Sequence, residues 1–374
     1  MKICLVHDDF IQAGGAESLF ATIAQIYPDA PIYTSLVDWQ KLPQSIDRSR
    51  VKISFMQKIP FAKYFFKVLL PLYPLAFESF DFTDFDLVIS STTRFAKAII
   101  TKPQTLHISY VNSTPRFLWD KKIQEDYLPS RLRLLLSPFL AWLKRWDKVA
   151  SARADAYIAN SQNIKNRIDA TYHYPSIIVY PFANTIFFTP AKIHNWSLRK
   201  QSYFLIVTRL VKWKKIEIAI KAAKDLNINL KIIGIGPDEA RLKKLAANLS
   251  TKNNIEFLGK ITVEDLRDLY RNCQALIVTQ EEDFGIAAVE VQACGRPAVV
   301  LASSGARETI LPGETGLIFQ KQDVQSLKDA IKSISKVKWN VSQIRRNALR
   351  YSKAVFVKSL TYAINNYVHE RSKP

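Results

Sequence analysis

Short apolar runs with the composition of β-strands alternate with helical patterns along the whole chain of 374 residues. The predicted strands form two series: 3–6, 32–35, 87–90, 106–110, 156–159 and 177–179, then 204–208, 230–233, 255–258, 275–279, 298–301 and 317–319. The clearest helical patterns lie between strands, at 18–26, 216–226, 238–249 and 263–272. Such alternation predicts parallel sheets with helices on both faces. Two series therefore predict an α/β protein with two Rossmann-like domains.

The mixed loop at 181–201 has no clear periodicity, and we predict that it separates the two domains. Apolar residues make up 48% of the chain and aromatic residues 11%, which is enough to pack two cores. No apolar run approaches the roughly 20 residues that a membrane-spanning helix needs. The three cysteines, Cys4, Cys273 and Cys294, lack metal-ligand spacing. Their placement favours a reducing cytoplasm without disulfides.

The chain is strongly basic, with a formal net charge of +20. Such a charge favours anionic partners: nucleic acid, an anionic membrane surface or phosphorylated substrates. Within residues 55–70, bulky apolar residues alternate with Lys58, Lys63 and Lys67. This pattern is typical of an interfacial membrane helix, limited here by Pro60 and Pro71 to little over two turns. A core helix whose lysines stay in water is the equally weighted alternative.

Glycine is concentrated in the second half, and the exceptions are informative. Eight of the ten glycines follow residue 233, and the other two, Gly14 and Gly15, are adjacent and directly follow the first predicted strand. Glycine at the start of a helix leaves backbone N–H groups open to a phosphate, although an ordinary turn explains it equally well. A dinucleotide-binding fingerprint is excluded, because Gly234-Ile-Gly236 has Glu239 where the third glycine belongs.

Charged residues follow two strands of the second series. Arg209 and Lys214 come after the strand at 204–208, and Glu282 follows the strand at 275–279. Glu290 lies eight positions further on, beyond a Phe284-Gly285 break, inside the next helical pattern. Open α/β sheets bind ligands beyond the carboxyl ends of their strands. These residues therefore predict a site for a ligand with hydroxyls at both ends and an anion between them, such as a nucleotide sugar.

Together these residues resemble the retaining GT-B glycosyltransferases of family 4, in particular bacterial mannosyltransferases of O-antigen and exopolysaccharide assembly. The resemblance covers essentially the whole chain. Its motifs are His7-Asp8, Gly14-Gly15-Ala-Glu17, Asp86-Leu-Val-Ile-Ser-Ser91, Ala159-Asn160-Ser161, Arg209 with Lys214, Gly234-Ile-Gly236-Pro237, Phe257-Leu-Gly259 and Glu282-Asp-Phe-Gly285 with Glu290-Val-Gln-Ala-Cys-Gly295.

The resemblance implies the following architecture. Two Rossmann-like domains face each other across a cleft: an acceptor-side domain at 1–185 and a donor-binding domain at 186–349. The segment 350–374 packs back onto the first of them.

The resemblance also implies a role for each site residue. Arg209 and Lys214 bind the donor diphosphate and stabilise the leaving group, and Glu282 contacts the donor sugar. Glu290 holds the ribose hydroxyls, and the loops at Gly234 and Gly259 flank the base. Backbone N–H groups at Phe284, Gly285 and Ile286 assist, while Gly14 and Gly15 close over the phosphates.

The implied reaction is metal-independent and needs no cofactor, because the donor phosphate itself helps deprotonate the acceptor. Glu282 and Glu290 are then a binding clamp and not an acid/base pair. Asp84-Phe-Asp86 has the spacing of a metal-binding DxD motif, but it opens a strand and is interpreted as structural.

One position departs from the family pattern. Relatives carry a histidine after the fourth strand, where this chain has Asn112, followed by Trp119-Asp120. Asn can hydrogen-bond the 6-hydroxyl of a sugar but cannot become charged. His107 lies within the preceding strand and is interpreted as a packed structural residue.

The resulting hypothesis is a retaining hexosyltransferase at the inner face of the cytoplasmic membrane. It uses a nucleoside-diphosphate sugar, with GDP-mannose favoured, and a glycan or polyprenyl-linked acceptor. A catalytically silent glycan-binding relative is the main alternative, and an inverting transferase or an epimerase would need a base in the cleft. A nucleic-acid-binding protein is suggested only by the charge, and nucleic acid is not expected as a partner.

Overall fold

The computed structural model describes residues 1–127, 130–191, 203–248 and 255–371, and it divides the chain into two compact units. Unit 1 comprises Met1–Tyr180 and Phe356–Pro374, and unit 2 comprises Pro181–Val355. The sequence placed the divisions at 185/186 and 349/350, a few residues away. The chain therefore returns to the first unit through its last helix.

Unit 1 is built around a seven-stranded parallel sheet with the order β3-β2-β1-β4-β5-β6-β7. Its strands are β1 (Ile3–His7), β2 (Ile32–Thr34), β3 (Val51–Ile53), β4 (Leu87–Thr92), β5 (Leu106–Val111), β6 (Ala156–Ala159) and β7 (Ser176–Ile178). Its helices are α1 (Gly15–Ile26), α2 (Ala62–Phe65), α3 (Tyr73–Glu78), α4 (Arg116–Trp119), α5 (Lys121–Tyr127), α6 (Ser130–Leu135), α7 (Ser137–Ala150) and α8 (Gln162–Tyr172).

Unit 2 has a six-stranded parallel sheet with the order β10-β9-β8-β11-β12-β13. Its strands are β8 (Tyr203–Val207), β9 (Asn229–Ile233), β10 (Ile255–Gly259), β11 (Ala275–Val278), β12 (Ala298–Leu301) and β13 (Gly316–Phe319). Its helices are α9 (Ile216–Leu226), α10 (Glu239–Asn248), α11 (Val263–Asn272), α12 (Ile286–Ala293), α13 (Val324–Ile334) and α14 (Val341–Leu349). The last helix of the chain, α15 (Lys353–Arg371), runs from unit 2 into unit 1.

Each sheet is a layer between two apolar cores. In unit 2, alternate residues of β8 supply opposite cores: Tyr203 and Leu205 pack on one face, and Phe204 and Ile206 on the other. A strand covered on both faces reads as a continuous apolar run, and this is why the sequence located twelve of the thirteen strands found in the described residues. The exception is β3, a three-residue edge strand paired with β2 in a basic stretch that is too short to show a pattern.

The interfacial helix predicted at 55–70 is wrong as a continuous element. This part of the chain folds into a 3₁₀ turn at Phe55–Lys58, the single-turn helix α2 and a second 3₁₀ turn at Leu70–Leu72. Pro60 and Pro71 remove backbone donors from the helix, and Phe61 adopts a left-handed φ of 58°. No helix among the described residues is long and apolar enough to cross a membrane.

Candidate functional site

The site in unit 2 lies where the strand order reverses. Strand β8 pairs with β9 on one side and with β11 on the other. The connections leaving these strands diverge, and the divergence opens a crevice at the carboxyl ends of the strands. Lys214 follows β8 and Glu282 follows β11, so two of the predicted site residues flank this crevice.

Lys214 and Glu282 bind each other. The ammonium group of Lys214 donates to Glu282 Oε1, Gln280 Nε2 donates to the same oxygen, and Lys214 Nζ lies 4.3 Å from the centre of the Trp213 ring. The Lys214 side chain is only 9% exposed. A lysine in such surroundings needs a counter-charge. A ligand would therefore meet an oriented ion pair, although the sequence had assigned the two residues to different parts of the ligand.

Arg209 lies on the exposed side of the same crevice. Its side chain makes no hydrogen bond or ion pair with the described residues. Its loop is supported from below by Gly234, where a Cβ would lie 1.9 Å from the carbonyl oxygen of Thr208. The Gly234 N–H donates to the Gly259 carbonyl (2.8 Å), which ties the ends of β9 and β10 together. Close backbone packing therefore accounts for Gly234, while the predicted contact of both loops with a base stays a prediction.

The sequence-based reasoning overlooked a second loop that supports Glu282. The Glu282 N–H donates to Ser304 Oγ (3.0 Å), and the Gly305 N–H donates to the Glu282 carbonyl (2.8 Å). A Cβ on Gly305 would lie 2.2 Å from the Asp283 carbonyl oxygen. The Ser304-Gly305-Ala306 run, which begins three residues after the end of β12, was the sequence signal for this contact.

Helix α12 begins at this supported loop and carries Glu290. Gly285 caps this helix with a φ of 90°. The Phe284 ring is buried, and its centre lies 5.5 Å from that of the Tyr351 ring. Phe284 can therefore contact a ligand only through its backbone. Among the described residues, the N–H groups of Gly285 and Ile286 have no hydrogen-bond partner. These groups lie at the positive end of the helix dipole and suit an anion.

Glu290 is a half-buried carboxylate with one partner. Its Oε2 accepts a hydrogen bond from the Tyr270 hydroxyl (2.9 Å). Burial raises the pKa of Glu290 to about 7, and the bond from Tyr270 partly counters that rise. No cation pairs with Glu290 among the described residues. The second oxygen therefore remains able to accept from a hydroxyl.

In unit 1, Gly14 and Gly15 open α1 as predicted, but a carboxyl group already occupies the end of the helix. The Glu17 carboxylate folds back so closely that a Cβ on Gly14 would lie 2.9 Å from its Oε2. Burial raises the pKa of Glu17 to about 7, while the backbone N–H groups of Glu17 and Gly14 act to lower it. Any phosphate at this position would have to displace that carboxylate.

The first motif of unit 1 is structural. The Asp8 carboxylate accepts the backbone N–H groups of Arg94, Phe95 and Ala96 at 2.7–2.9 Å, which fixes the loop after β4. Asp9 forms an ion pair with Arg94. Because these bonds join the ends of β1 and β4, they cross the strand-order reversal of this sheet as well.

Asn112 follows β5 and is largely buried. Its Nδ2 donates to Ser91 Oγ (2.9 Å), and its backbone carbonyl accepts from Asn160 Nδ2 (2.7 Å). The two histidines of this region are also buried, His7 with Nδ1 3.1 Å from the Ser91 carbonyl and His107 with Nε2 2.9 Å from Ser90 Oγ. Burial lowers the pKa of each to about 4, so both stay neutral and neither replaces the histidine that Asn112 lacks.

Comparison with protein families identifies unit 2. Residues 191–353 match the model of the family described as glycosyl transferases group 1. Residues 191–353 therefore resemble a glycosyl transferases group 1 domain. The predicted resemblance to the GT-B, family 4-like glycosyltransferases is thereby confirmed. Arg209, Lys214, Glu282 and Glu290 lie inside this group 1 domain, whereas Gly14, Gly15 and Asn112 lie outside it.

Two curated relatives are similar over about half of the chain. An uncharacterized glycosyltransferase of Methanocaldococcus jannaschii is 31% identical over 188 residues, which is 49% of this chain and 50% of that protein. The O-antigen chain mannosyltransferase RfbU of Salmonella typhimurium is 27% identical over 211 residues, or 54% of this chain and 58% of that one. The chain thus spans about half the length of these relatives.

The solved structures extend the likeness to the whole chain. The crystal structure of Anabaena HepE in complex with UDP superposes with a TM-score of 0.70 at 18% identity, covering 98% of this chain and 100% of that one. At such low identity the likeness establishes the fold only. The predicted fold class, GT-B with two Rossmann-like domains, is confirmed.

Proposed function

We propose that this chain is a retaining hexosyltransferase that moves a hexose, with mannose favoured, from a nucleoside-diphosphate sugar to a glycan or lipid-linked acceptor. The proposal rests above all on the Lys214–Glu282 ion pair at the strand-order reversal of the group 1 domain. The pair joins a cation for a leaving diphosphate to a carboxylate for sugar hydroxyls.

The remaining groups of unit 2 fit the same ligand. Arg209 is an exposed cation without a partner among the described residues, and the first turn of α12 supplies N–H groups, so an anion has two sources of positive charge. Glu290, with one oxygen available, fits a ribose diol. Together these groups offer one partner for each part of a nucleoside-diphosphate sugar.

We propose that the reaction is retaining and independent of a metal ion, and two of the predicted site residues do not suit the role of an inverting base. Glu282 is neutralised by Lys214 and Asn112 does not ionise, so neither suits an inverting mechanism, which needs a positioned base. Among the described residues no cluster of three or more His, Cys, Asp or Glu side chains could hold a metal ion. Stabilisation of the departing diphosphate by fixed cations would then account for most of the rate enhancement.

The donor is tested by a thermal-shift panel of GDP, UDP, ADP and CDP. We expect GDP to raise the melting temperature; a shift from UDP alone would agree with the ligand of HepE and move the donor assignment. Arg209→Ala and Glu290→Ala should abolish the shift, and Arg346→Ala, which removes an exposed arginine from α14, should preserve it. If none of the nucleotides shifts the protein while RNA or DNA does, the transferase proposal is wrong.

A turnover assay distinguishes an active transferase from a catalytically silent, glycan-binding relative. The protein should release GDP from GDP-mannose in the presence of a lipid-linked glycan, and NMR of the product should show the α-anomer of the donor retained. Specific GDP binding without any turnover would favour the glycan-binding alternative, for which the uncharged Asn112 is the motivating observation.

We further propose that unit 1 contacts an anionic membrane surface on the cytoplasmic side. Although 55–70 is not one helix, it exposes Phe61, Tyr64, Phe65 and Val68, each at 59% or more, beside the lysines at 58, 63 and 67. Exposed apolar side chains with adjacent lysines suit a lipid interface. A second exposed apolar stretch at 132–135 leads into α7, whose Phe139 packs on the same core as Phe66.

Co-sedimentation with liposomes tests this contact. The protein should pellet with vesicles containing phosphatidylglycerol and not with neutral ones. Replacing Lys58, Lys63 and Lys67 with Glu should abolish pelleting, whereas the same charge change at the exposed Lys260, Lys321 and Lys336 of unit 2 should preserve it. Equal binding by both variants would contradict the proposal.

A further inference from the structure

The Tyr270 hydroxyl makes one hydrogen bond with the described residues. Tyr270 is fully buried on α11, with its ring 5.6 Å from that of Phe188. Its hydroxyl donates to Glu290 Oε2 (2.9 Å) and makes no other hydrogen bond with the described residues. Burial raises the pKa of Tyr270 well above 10, so the phenol remains protonated and keeps donating.

Glu290 depends on this contact in turn. The carboxylate is half-buried, lacks a cation and accepts no second hydrogen bond from the described residues. The hydrogen bond to Oε2 restricts the rotation of the Glu290 carboxylate. Its other oxygen, Oε1, is left able to accept a hydrogen bond from a ligand. Because α11 and α12 both pack on the same core of unit 2, the two backbones hold the contact in place.

The other titratable groups around this contact do not replace it. They are two thiols, Cys273 and Cys294, and three guanidinium groups that approach Cys294, those of Arg267, Arg271 and Arg345. Arg271 donates to Thr189, and Arg345 donates to the carbonyl groups of Phe188 and Ala293. Burial raises the pKa of Cys294 to about 12, so this thiol carries no charge near neutral pH.

We infer that Tyr270 is a positioning residue: its hydrogen bond orients Glu290 and stabilises the carboxylate form, so that the other carboxylate oxygen accepts from a diol of the bound nucleotide. The inference rests on the proposed function. It adds that nucleotide affinity depends on a hydroxyl that does not itself touch the nucleotide.

The test is the pH dependence of nucleoside-diphosphate binding, measured by calorimetry with GDP and UDP between pH 6 and 9. The ionised form of Glu290 binds, so affinity should rise as pH increases through its pKa. Tyr270→Phe removes the bond that lowers this pKa; affinity should fall roughly tenfold at pH 7 and recover toward the wild-type value at pH 9. General damage to the site would give a loss that does not recover.

Tyr203→Phe is the matched control. Tyr203 is a buried tyrosine whose hydroxyl donates to the Leu269 carbonyl of the same helix (2.9 Å), and it packs in the same core. Its removal should leave the affinity and its pH midpoint unchanged. An identical change in both variants would overturn the inference.

A second comparison holds even if Tyr270→Phe alone folds poorly. Glu290→Gln and the double variant Tyr270→Phe/Glu290→Gln should bind the nucleotide equally weakly and without pH dependence, because Tyr270 acts only through the carboxylate. A further loss in the double variant would show a different role for Tyr270. If the wild type binds neither GDP nor UDP, the proposed function fails; if it binds and Tyr270→Phe behaves like the wild type, only this inference fails.

Discussion

The ammonium group of Lys214 and the carboxylate of Glu282 meet across the strand-order reversal of the second sheet, although 68 positions separate them in the chain. The contact links the loop after β8 to the loop after β11, and Thr279 Oγ1 strengthens the link by donating to the Lys214 carbonyl (2.7 Å). A ligand entering this crevice would meet charges whose positions are already fixed.

Lys214→Met should lower kcat about 10²- to 10³-fold, because a fixed cation at a developing negative charge is lost. The loss should appear in steady-state assays of sugar transfer. Lys212→Met, which removes an exposed lysine from the same loop, is the control and should keep near wild-type turnover. Full activity in Lys214→Met would show that Lys214 does not stabilise the leaving group.

Gly305→Ala should weaken nucleotide binding by about tenfold or more, because it shifts the site on the ångström scale. The new Cβ would lie 2.2 Å from the Asp283 carbonyl, so the 282–285 loop must move. Gly313→Ala controls for backbone strain alone: its φ of 80° costs about 1–2 kcal/mol, but nothing lies within 4 Å of the added carbon. Calorimetry should find reduced binding in the first variant only.

Glu290→Gln should stabilise the protein at alkaline pH while it weakens nucleotide binding. The pKa of Glu290 in the folded protein is about 7, above its ordinary 4.5, so the wild-type free energy of unfolding falls as pH rises from about 4.5 to 7. The variant avoids this loss, which is on the order of 3 kcal/mol at most.

Urea unfolding at pH 4 and pH 8 measures the difference. The two proteins should be equally stable at pH 4 and differ at pH 8. Glu264→Gln removes an exposed carboxylate from α11 and controls for the change in net charge. If the variant is no more stable than the wild type at pH 8, burial does not raise the pKa of Glu290, and the argument is wrong.

Lys97→Met should destabilise unit 1 by about 3–5 kcal/mol, because it leaves a buried carboxylate without its counter-charge. The side chains of Lys97 and Asp147 are 2% and 0% exposed, and Asp147 also accepts from Trp119 Nε1 and the Tyr172 hydroxyl, both at 2.7 Å. Chemical denaturation should reveal the change. Lys148→Met, one residue from Asp147 but exposed, should have little effect, and a similarly small effect at Lys97 would contradict the argument.

The secondary structure was largely readable from the sequence because both sheets are buried on both faces. Strand β12 and helices α9 and α11 have the bounds that were predicted for them. The reading failed where local pattern and backbone chemistry disagreed. At 55–70 the apolar and basic residues suit a helix, but Pro60 and Pro71 interrupt it, and the three residues of β3 are too few to show alternation.

The candidate site was readable only in part. Glu282, Glu290, Arg209 and Lys214 could be placed at strand ends because the motif order fixes which strand each follows. The supporting contacts could not, since Ser304 belongs to another strand end and Tyr270 to another helix. Glu17 is the clearest case: its motif predicted an open phosphate-binding helix end, and its own side chain fills that end.

The sequence by itself determined the alternation of strands and helices, the two-domain division and the list of charged residues at strand ends. These follow from local periodicity and from glycine positions, which act over a few residues. Only the tertiary structure decided that Lys214 pairs with Glu282 and that Tyr270 holds Glu290. Partner choice depends on which strands become neighbours in the sheet, and burial then makes each unpaired charge costly enough to select one partner.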